Sequence, residues 1–482
     1  MKCIKRNGNV EIYDRDNKLP LYSLTGQELG PQELKLKKEL KDFAITNISV
    51  DPNKLRDITK RKEVFTEEVE RIFAKEFKTQ LAQSQGNGRA KELIIKLVVE
   101  DMVGYGVIDP LLSDGNLEEI MVIGSNLPVY VFHKKYGTCE TNVMFNSPED
   151  LINVAKKIGR DTLRRVDTNQ PILDSRLPDG SRVNVTLPPV SLDGVSITIR
   201  KFQKEPISVV QLIEYETLNS ELAAFLWIAV DGLGMHPCNI VVAGGTASGK
   251  TSLLDALLVF VPTQERVISI EDTAELHLRH SNRVRLETRL PNLEGKGEVT
   301  MDDLLKNALR MRPDRIIVGE VRGSEAQTLF MAMNTGHDGC MGTIHANTSK
   351  DVITRLVNPP MSVPANMIPV LDLVVMEEKI FTRKRGILRR VTEVAEITVG
   401  ETDDMQINSL YKWSPSGDII KGTGIPSRTQ FRFEEYASMM GTDFKEELRR
   451  RMDFIDDLLA RGITGYQKIH SKVNEYRVEF SI

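Results

Sequence analysis

Residues 239–251 carry the densest chemistry of the chain: an apolar strand, Asn239-Ile-Val-Val-Ala243, leads into Gly244-Gly245-Thr246-Ala247-Ser248-Gly249-Lys250-Thr251-Ser252. The spacing Gly-x4-Gly-Lys-Thr is that of a loop wrapped around phosphates. Gly244 and Gly249 permit a turn whose backbone N–H groups point inward at an anion. Lys250 brings a mobile positive charge to the terminal phosphates, and the Thr251 hydroxyl suits the shell of a Mg²⁺ ion. Leu253, Leu254, Leu257, Leu258 and Val261 then recur at helical spacing up to Pro262. The loop is therefore expected to open a buried helix whose positive N-terminus faces the phosphates. Residues 244–252 are the expected nucleotide-binding segment, with ATP and Mg²⁺ as the ligands.

Hydrolysis of a phosphoanhydride also needs an activated water, a metal and compensation of charge. Two further apolar strands end in acids. Val267 to Ile270 leads into Glu271, and Arg315 to Val318 leads through Gly319 to Glu320. Ligands of open α/β sheets bind at the carboxyl ends of strands, so Glu271 is the expected base for water and Glu320 the expected Mg²⁺ ligand with Thr251. A third strand, Met341 to Ile344, delivers His345 to the same edge, where an imidazole can donate to a terminal phosphate. Ser324-Glu-Ala-Gln327 has the spacing of a capping box and predicts a helix to about Asn334. Arg182 and Arg200, further upstream, are the expected suppliers of positive charge across an interface.

These elements imply an organisation. The chain has 482 residues, too many for one ordinary core. Residues 1–85 are polar and charge-rich with amphipathic runs at 32–43 and 65–77, which predicts a helical or partly flexible region. Residues 83–88 read as a flexible joint. Residues 86–202 mix a helix ending at Gly104 with short strand candidates near 119–122, 129–132, 183–187 and 196–200, an α+β domain. A linker at 203–209 precedes a motor domain at 210–395, in which strands alternate with helices and predict a parallel sheet covered on both faces. Residues 396–482 mix strand-like pieces with amphipathic helical ones such as 444–460 and read as an accessory subdomain, mainly helical.

Composition excludes several classes. Lys plus Arg total 64 against 68 Asp plus Glu, a formal charge of -4, and aromatic residues make up 6%. A nucleic-acid motor of the same fold would need a basic channel or stacking aromatics, so nucleic acid is not an expected partner. Cys3, Cys139, Cys238 and Cys340 form no Cys-x-x-Cys pair, which argues against a disulfide framework or zinc ribbon. No apolar signal core opens the chain and no run is long enough to span a bilayer, which predicts a cytoplasmic protein. A nucleotide-gated scaffold without turnover is the remaining alternative, disfavoured by the set Glu271, Glu320 and His345.

The ordered series 244–251, 270–275, 315–323 and 335–347 resembles the secretion ATPases of type II and type IV secretion, type IV pilus and archaellum systems. In that family the segments are called Walker A, Asp box, Walker B and His box. The resemblance covers roughly residues 90 to 395, including Gly104-Tyr-Gly-Val-Ile-Asp-Pro-Leu-Leu112 and Thr198-Ile-Arg200. The chain lacks the tetracysteine insert of the bacterial pilus-assembly and type II enzymes and is most similar to the archaeal branch. The resemblance implies a RecA-like motor domain, a homohexamer with nucleotide between the α+β and motor domains, and docking on a polytopic membrane platform, so that membrane contact is indirect.

Overall fold

The structure, a computed structural model, describes residues 2–16, 18–26, 29–50, 58–77, 87–203, 205–289, 291, 295–382, 385–400 and 405–480. The expected joint at 83–88 lies mostly outside them. The chain divides into two compact units, Met1–Gln203 and Lys204–Ile482.

The first unit is built on nine strands: β1 (Lys2–Asn7), β2 (Val10–Asp14), β3 (Leu21–Leu24), β4 (Leu117–Val122), β5 (Pro128–His133), β6 (Gly137–Met144), β7 (Ile172–Arg176), β8 (Arg182–Thr186) and β9 (Ser196–Arg200). Their order in the sheet is β1-β2-β3-β6-β5-β4-β9-β8-β7. The reading of residues 1–85 as helical or flexible is corrected here, because β1 to β3 form a meander that joins the sheet through the parallel pair β3–β6. Local sequence hid it: β1 is Lys-Cys-Ile-Lys-Arg-Asn, almost wholly exposed, with no apolar alternation. Pairing and two buried anchors, Ile12 and Tyr22, hold the meander, and the Tyr22 hydroxyl donates to Asp114 at 2.6 Å. The amphipathic runs do form helices, Pro31–Asn47 and Ile58–Ile72, which pack with Asn87–Val103 around Leu40, Phe65, Val69, Ile94 and Val98. Arg61 ties this cluster to the helix Pro148–Asp161 by a buried 2.9 Å pair with Asp161.

The second unit carries β10 (Ile240–Gly244), β11 (Val267–Glu271), β12 (Arg283–Glu287), β13 (Arg315–Val321), β14 (Met341–His345), β15 (Leu373–Thr382), β16 (Gly386–Val399), β17 (Met405–Ser414) and β18 (Ile419–Gly422). They form one sheet in the order β12-β11-β13-β14-β10-β15-β16-β17-β18. The first six are parallel, whereas β15 to β18 pair antiparallel, so the sheet is mixed rather than purely parallel. β16 runs through residues 395 and 396, and β17 and β18 extend the motor sheet; the tail is not solely helical.

Apart from the edge strand β12, both faces of the parallel part are covered, which explains its continuous apolar runs. Along β10, Ile240 and Val242 enter one core with Leu253, Leu257 and Trp227, while Val241 and Ala243 enter the other with Leu305, Phe330 and Val352. The helices Arg428–Met439, Phe444–Ala460 and Tyr466–Phe480 add Phe433, Ile455 and Tyr476 to the first core. No helix among the described residues is long and apolar enough to cross a membrane.

Candidate functional site

β10 is buried along its whole length and passes through the glycine loop into the helix Lys250–Leu257. Gly249, at the helix N-cap, has φ 118°, and Ala247 has φ 58°. Left-handed residues in alternation turn successive N–H groups to one side, which makes an anion-binding concavity. Lys250 is held within it, its Nζ donating to the Gly245 carbonyl at 2.9 Å. Thr246 and Ala247 are exposed at the loop crest, Ser248 is buried beneath, and Thr251 and Ser252 are half-buried on the first helical turn. The helix is shorter than the periodicity predicts, because Leu258–Phe260 tightens into a 3₁₀ turn before Pro262.

Register places the other residues. Gly244 pairs with His345 on one side and with Glu377 on the other. The His345 Nε2 is 2.9 Å from the Thr246 hydroxyl, so the histidine reaches the loop itself. On β13 the pairing with β14 slips between Val318 and Val321, a bulge containing Gly319 and Glu320. Such a bulge re-aims side chains. The Thr343 hydroxyl fixes it by donating to the Gly319 carbonyl at 2.7 Å. Gly319 is required for a further reason, since a Cβ there would stand 2.9 Å from Glu271 Cγ on the neighbouring strand.

Glu271 is 2% exposed. Its Oε2 accepts from the amides of Glu275 and Leu276 at 2.7 and 2.9 Å, while Oε1 has no hydrogen-bond partner among the described residues. Burial raises its pKa against the pull of those amides and of Arg285, the direction that favours proton acceptance near neutrality. The segment after Glu271 is anchored to the phosphate-loop helix, where Asp255 receives the His277 amide and lies 2.8 Å from its Nδ1.

Glu320 behaves oppositely. Partial burial raises its pKa, but the Arg322 hydrogen bond at 2.7 Å and the charges of Arg322, Lys250 and His345 outweigh that and hold the carboxyl below its ordinary value. An ionised carboxylate in the field of Lys250, with the Thr251 hydroxyl on the adjoining helix, is a donor set that fits a Mg²⁺ ion. Arg322 also lies 3.8 Å from Asp272 and links the two acidic segments.

The predicted capping box is not formed. Ser324 is itself helical, with φ -64° and ψ -19°, and its hydroxyl makes no cap. Glu325 instead receives the amides of Arg322 and Gly323 at 2.6 and 2.7 Å, fixing the turn after β13.

Glu271, Glu320, His345 and the loop are thus gathered at one sheet edge of the second unit. Arg182 and Arg200 belong to the first unit, where they face each other across β8 and β9, with Arg176 opposite Arg182 on β7. Like charges in direct cross-strand register oppose pairing, and Arg200 also stands opposite Glu119 on β4, so the row ends against an acid. Two contributors to the loop escaped the sequence reading. Glu377 occupies an apolar strand and no motif marks it; Arg389 is 142 residues from Ala247, whose carbonyl it contacts.

A family described as "Type II/IV secretion system protein" matches residues 102–393. The uncharacterized protein MJ0781 of Methanocaldococcus jannaschii is 51% identical over 239 residues, 49% of this chain and 33% of that protein. The chain therefore spans a third of that relative's length. MJ0900 of the same organism is 36% identical over 386 residues, 79% of this chain and 68% of that protein. A solved structure, the VirB11 ATPase from the Brucella suis type IV secretion system in complex with sulphate, is 26% identical, covering 60% of this chain and 92% of that one, with a TM-score of 0.30. Because the family match spans well over half of the 482 residues and encloses the loop, both strand-end acids and His345, the chain belongs to the type II/IV secretion system protein family.

Proposed function

We propose that this chain is a Mg²⁺-dependent ATPase that works as a motor of a secretion, pilus or archaellum-like system. The observation that carries the reading is the register at one sheet edge: the phosphate loop leaves β10 beside His345, with Glu320 and Glu271 ending the next two strands. The loop amides and Lys250 bind the phosphates of ATP. Thr251 and Glu320 are the residues that would hold Mg²⁺, whose charge would offset that of the phosphate oxygens. Glu271 accepts the proton of the attacking water through Oε1, the oxygen its amide bonds leave open. His345 donates to the terminal phosphate and exchanges Thr246 for it. Arg182 and Arg200, in register on neighbouring strands of the first unit, are the assigned suppliers of further positive charge.

Beyond the site, we assign the working form as a homohexamer in the cytoplasm, held at the membrane by a polytopic partner protein. The similarity of the chain to two Methanocaldococcus jannaschii proteins supports an archaeal system. Steady-state phosphate release by the purified protein tests the enzyme reading. Release should require Mg²⁺ and fall by about 10²- to 10⁴-fold in Glu271→Gln with ATP binding retained. Release from Glu271→Gln at the wild-type rate removes Glu271 as the base, and no release above a Lys250→Ala control overturns the ATPase.

A further inference from the structure

Glu377 has no part in the chemistry above, yet it meets the phosphate loop at both of its fixed glycines. It stands opposite Gly244 on β15, where the pairing with β16 slips between Met376 and Glu377. Its carbonyl oxygen lies 2.1 Å from the place a Cβ on Gly244 would take, and its Oε1 lies 2.4 Å from the place a Cβ on Gly249 would take. The two glycines are thus spaced not only for phosphate but for this one residue behind them.

The side chain is 1% exposed and its Oε2 has no hydrogen-bond partner among the described residues. A charged carboxylate left so would be costly. Burial pushes its pKa up to about 8 against the pull of Arg389 and Lys250, so the neutral form prevails at pH 7 and adds no repulsion beneath the phosphates. From β16, Arg389 Nε donates to the Ala247 carbonyl at 3.3 Å, at the left-handed residue of the loop crest. One strand pair therefore contacts the loop from below and from the side.

We infer that the β15–β16 pair is a bracket for the phosphate loop, in which Glu377 is a positioning residue that props Gly249 and Lys250 and Arg389 pins Ala247. The inference rests on the reading of this loop as the nucleotide site. A bracket of this kind fixes the amides before nucleotide arrives, so its loss is felt in binding rather than in the chemical step.

The test measures KM and kcat for ATP, and the affinity of a fluorescent ATP analogue, in the full chain. Glu377→Ala should raise KM and the analogue's Kd about tenfold with kcat within about threefold, and Glu377→Gln, equal in shape and neutral, should restore both to within about twofold. Arg389→Ala should raise KM about threefold; its part-exposed side chain keeps the test decisive if Glu377→Ala does not fold. Wild-type KM in both alanine variants, or a Gln variant as impaired as the Ala variant, overturns the bracket. A Lys250→Ala control separates the two readings. If it loses the analogue while the bracket variants bind normally, only the bracket falls; if it binds like wild type, the nucleotide site falls and the bracket with it.

Discussion

His345 Nε2 lies 2.9 Å from the Thr246 hydroxyl, bridging the end of β14 and the crest of the phosphate loop. The contact joins the residue at the end of one strand to the exposed part of the loop that leaves its neighbour. On the proposed reading, a terminal phosphate over the loop would compete with Thr246 for the same imidazole. His345→Ala should therefore lower kcat by about tenfold or more while ATP affinity changes by less than about threefold, because the donor acts mainly on charge developing in the transition state. Single-turnover hydrolysis beside equilibrium binding of ATP separates the two quantities. A variant that loses affinity and keeps kcat makes His345 a binding residue only.

The bulge at Gly319 and Glu320 depends on one buried hydroxyl, that of Thr343, donating to the Gly319 carbonyl. Thr343→Val keeps the shape and removes the donor, leaving the carbonyl unsatisfied. The expected cost is about 1–3 kcal/mol of stability, read as a lower midpoint in urea. Turnover should fall as well, because Glu320 is aimed by the bulge, and Thr343→Ser should restore both. A Val variant with wild-type stability and turnover would show that the bulge holds without the hydroxyl.

The site was legible in the sequence where one motif fixes chemistry and strand together. The loop at 244–252 stood out by its spacing, and Glu271, Glu320 and His345 each ended an apolar run, so sheet topology alone gathered them. Glu377 ends such a run too, but Glu378 and Lys379 follow it and no motif marks it, whereas the structure buries it. A related limit hid β1 to β3. β1 is polar, and the meander it belongs to joins the sheet where Leu21 pairs with Glu140, far along the chain. Fold signals carried by burial on both faces were readable, and those carried by long-range pairing were not.

Asp418 gives the second unit an acid-sensitive clasp. Hydrogen bonds from Arg390 and Trp413, with the charges of Arg390 and Arg385, hold its pKa down to about 2 from 3.8 despite some desolvation. Arg390 is itself buried and also reaches Glu216 at 2.9 Å, so the clasp joins β16 to the turn before β18 and to residues 215–216. The folded value lies below the unfolded one; the stabilisation is complete above about pH 4 and is lost as pH falls toward 2. Denaturation midpoints of wild type and Asp418→Asn should differ at pH 5.5 and converge as pH is lowered to 3 and below. A difference that stays constant over that range would mean that Asp418 acts through packing and not through charge.

The C-terminal helices are fastened by a buried cation. Arg451 is 0% exposed, donates to Asp231 at 3.0 and 2.8 Å and to Glu447 at 2.9 Å, and lies 4.9 Å over the Trp227 ring. Asp231 ends the buried helix Ser220–Asp231, so the pair ties Phe444–Ala460 to the face of the sheet behind the phosphate loop. Arg451→Ala leaves two carboxylates buried with their main partner gone, which should cost about 3–5 kcal/mol. Arg451→Lys should recover only part of that, since one ammonium replaces the separate Nη1 and Nε donors that serve Asp231 and Glu447. Neutralising all three members together, as Asp231→Asn, Glu447→Gln and Arg451→Met, should be milder than Arg451→Ala alone, because the two carboxylates are then no longer charged without Arg451, although Arg477, 3.9 Å from Asp231, loses that partner. Urea unfolding of the three variants measures the order directly. A triple variant less stable than Arg451→Ala would mean that the ion network stabilises the junction outright and is not merely expensive to break.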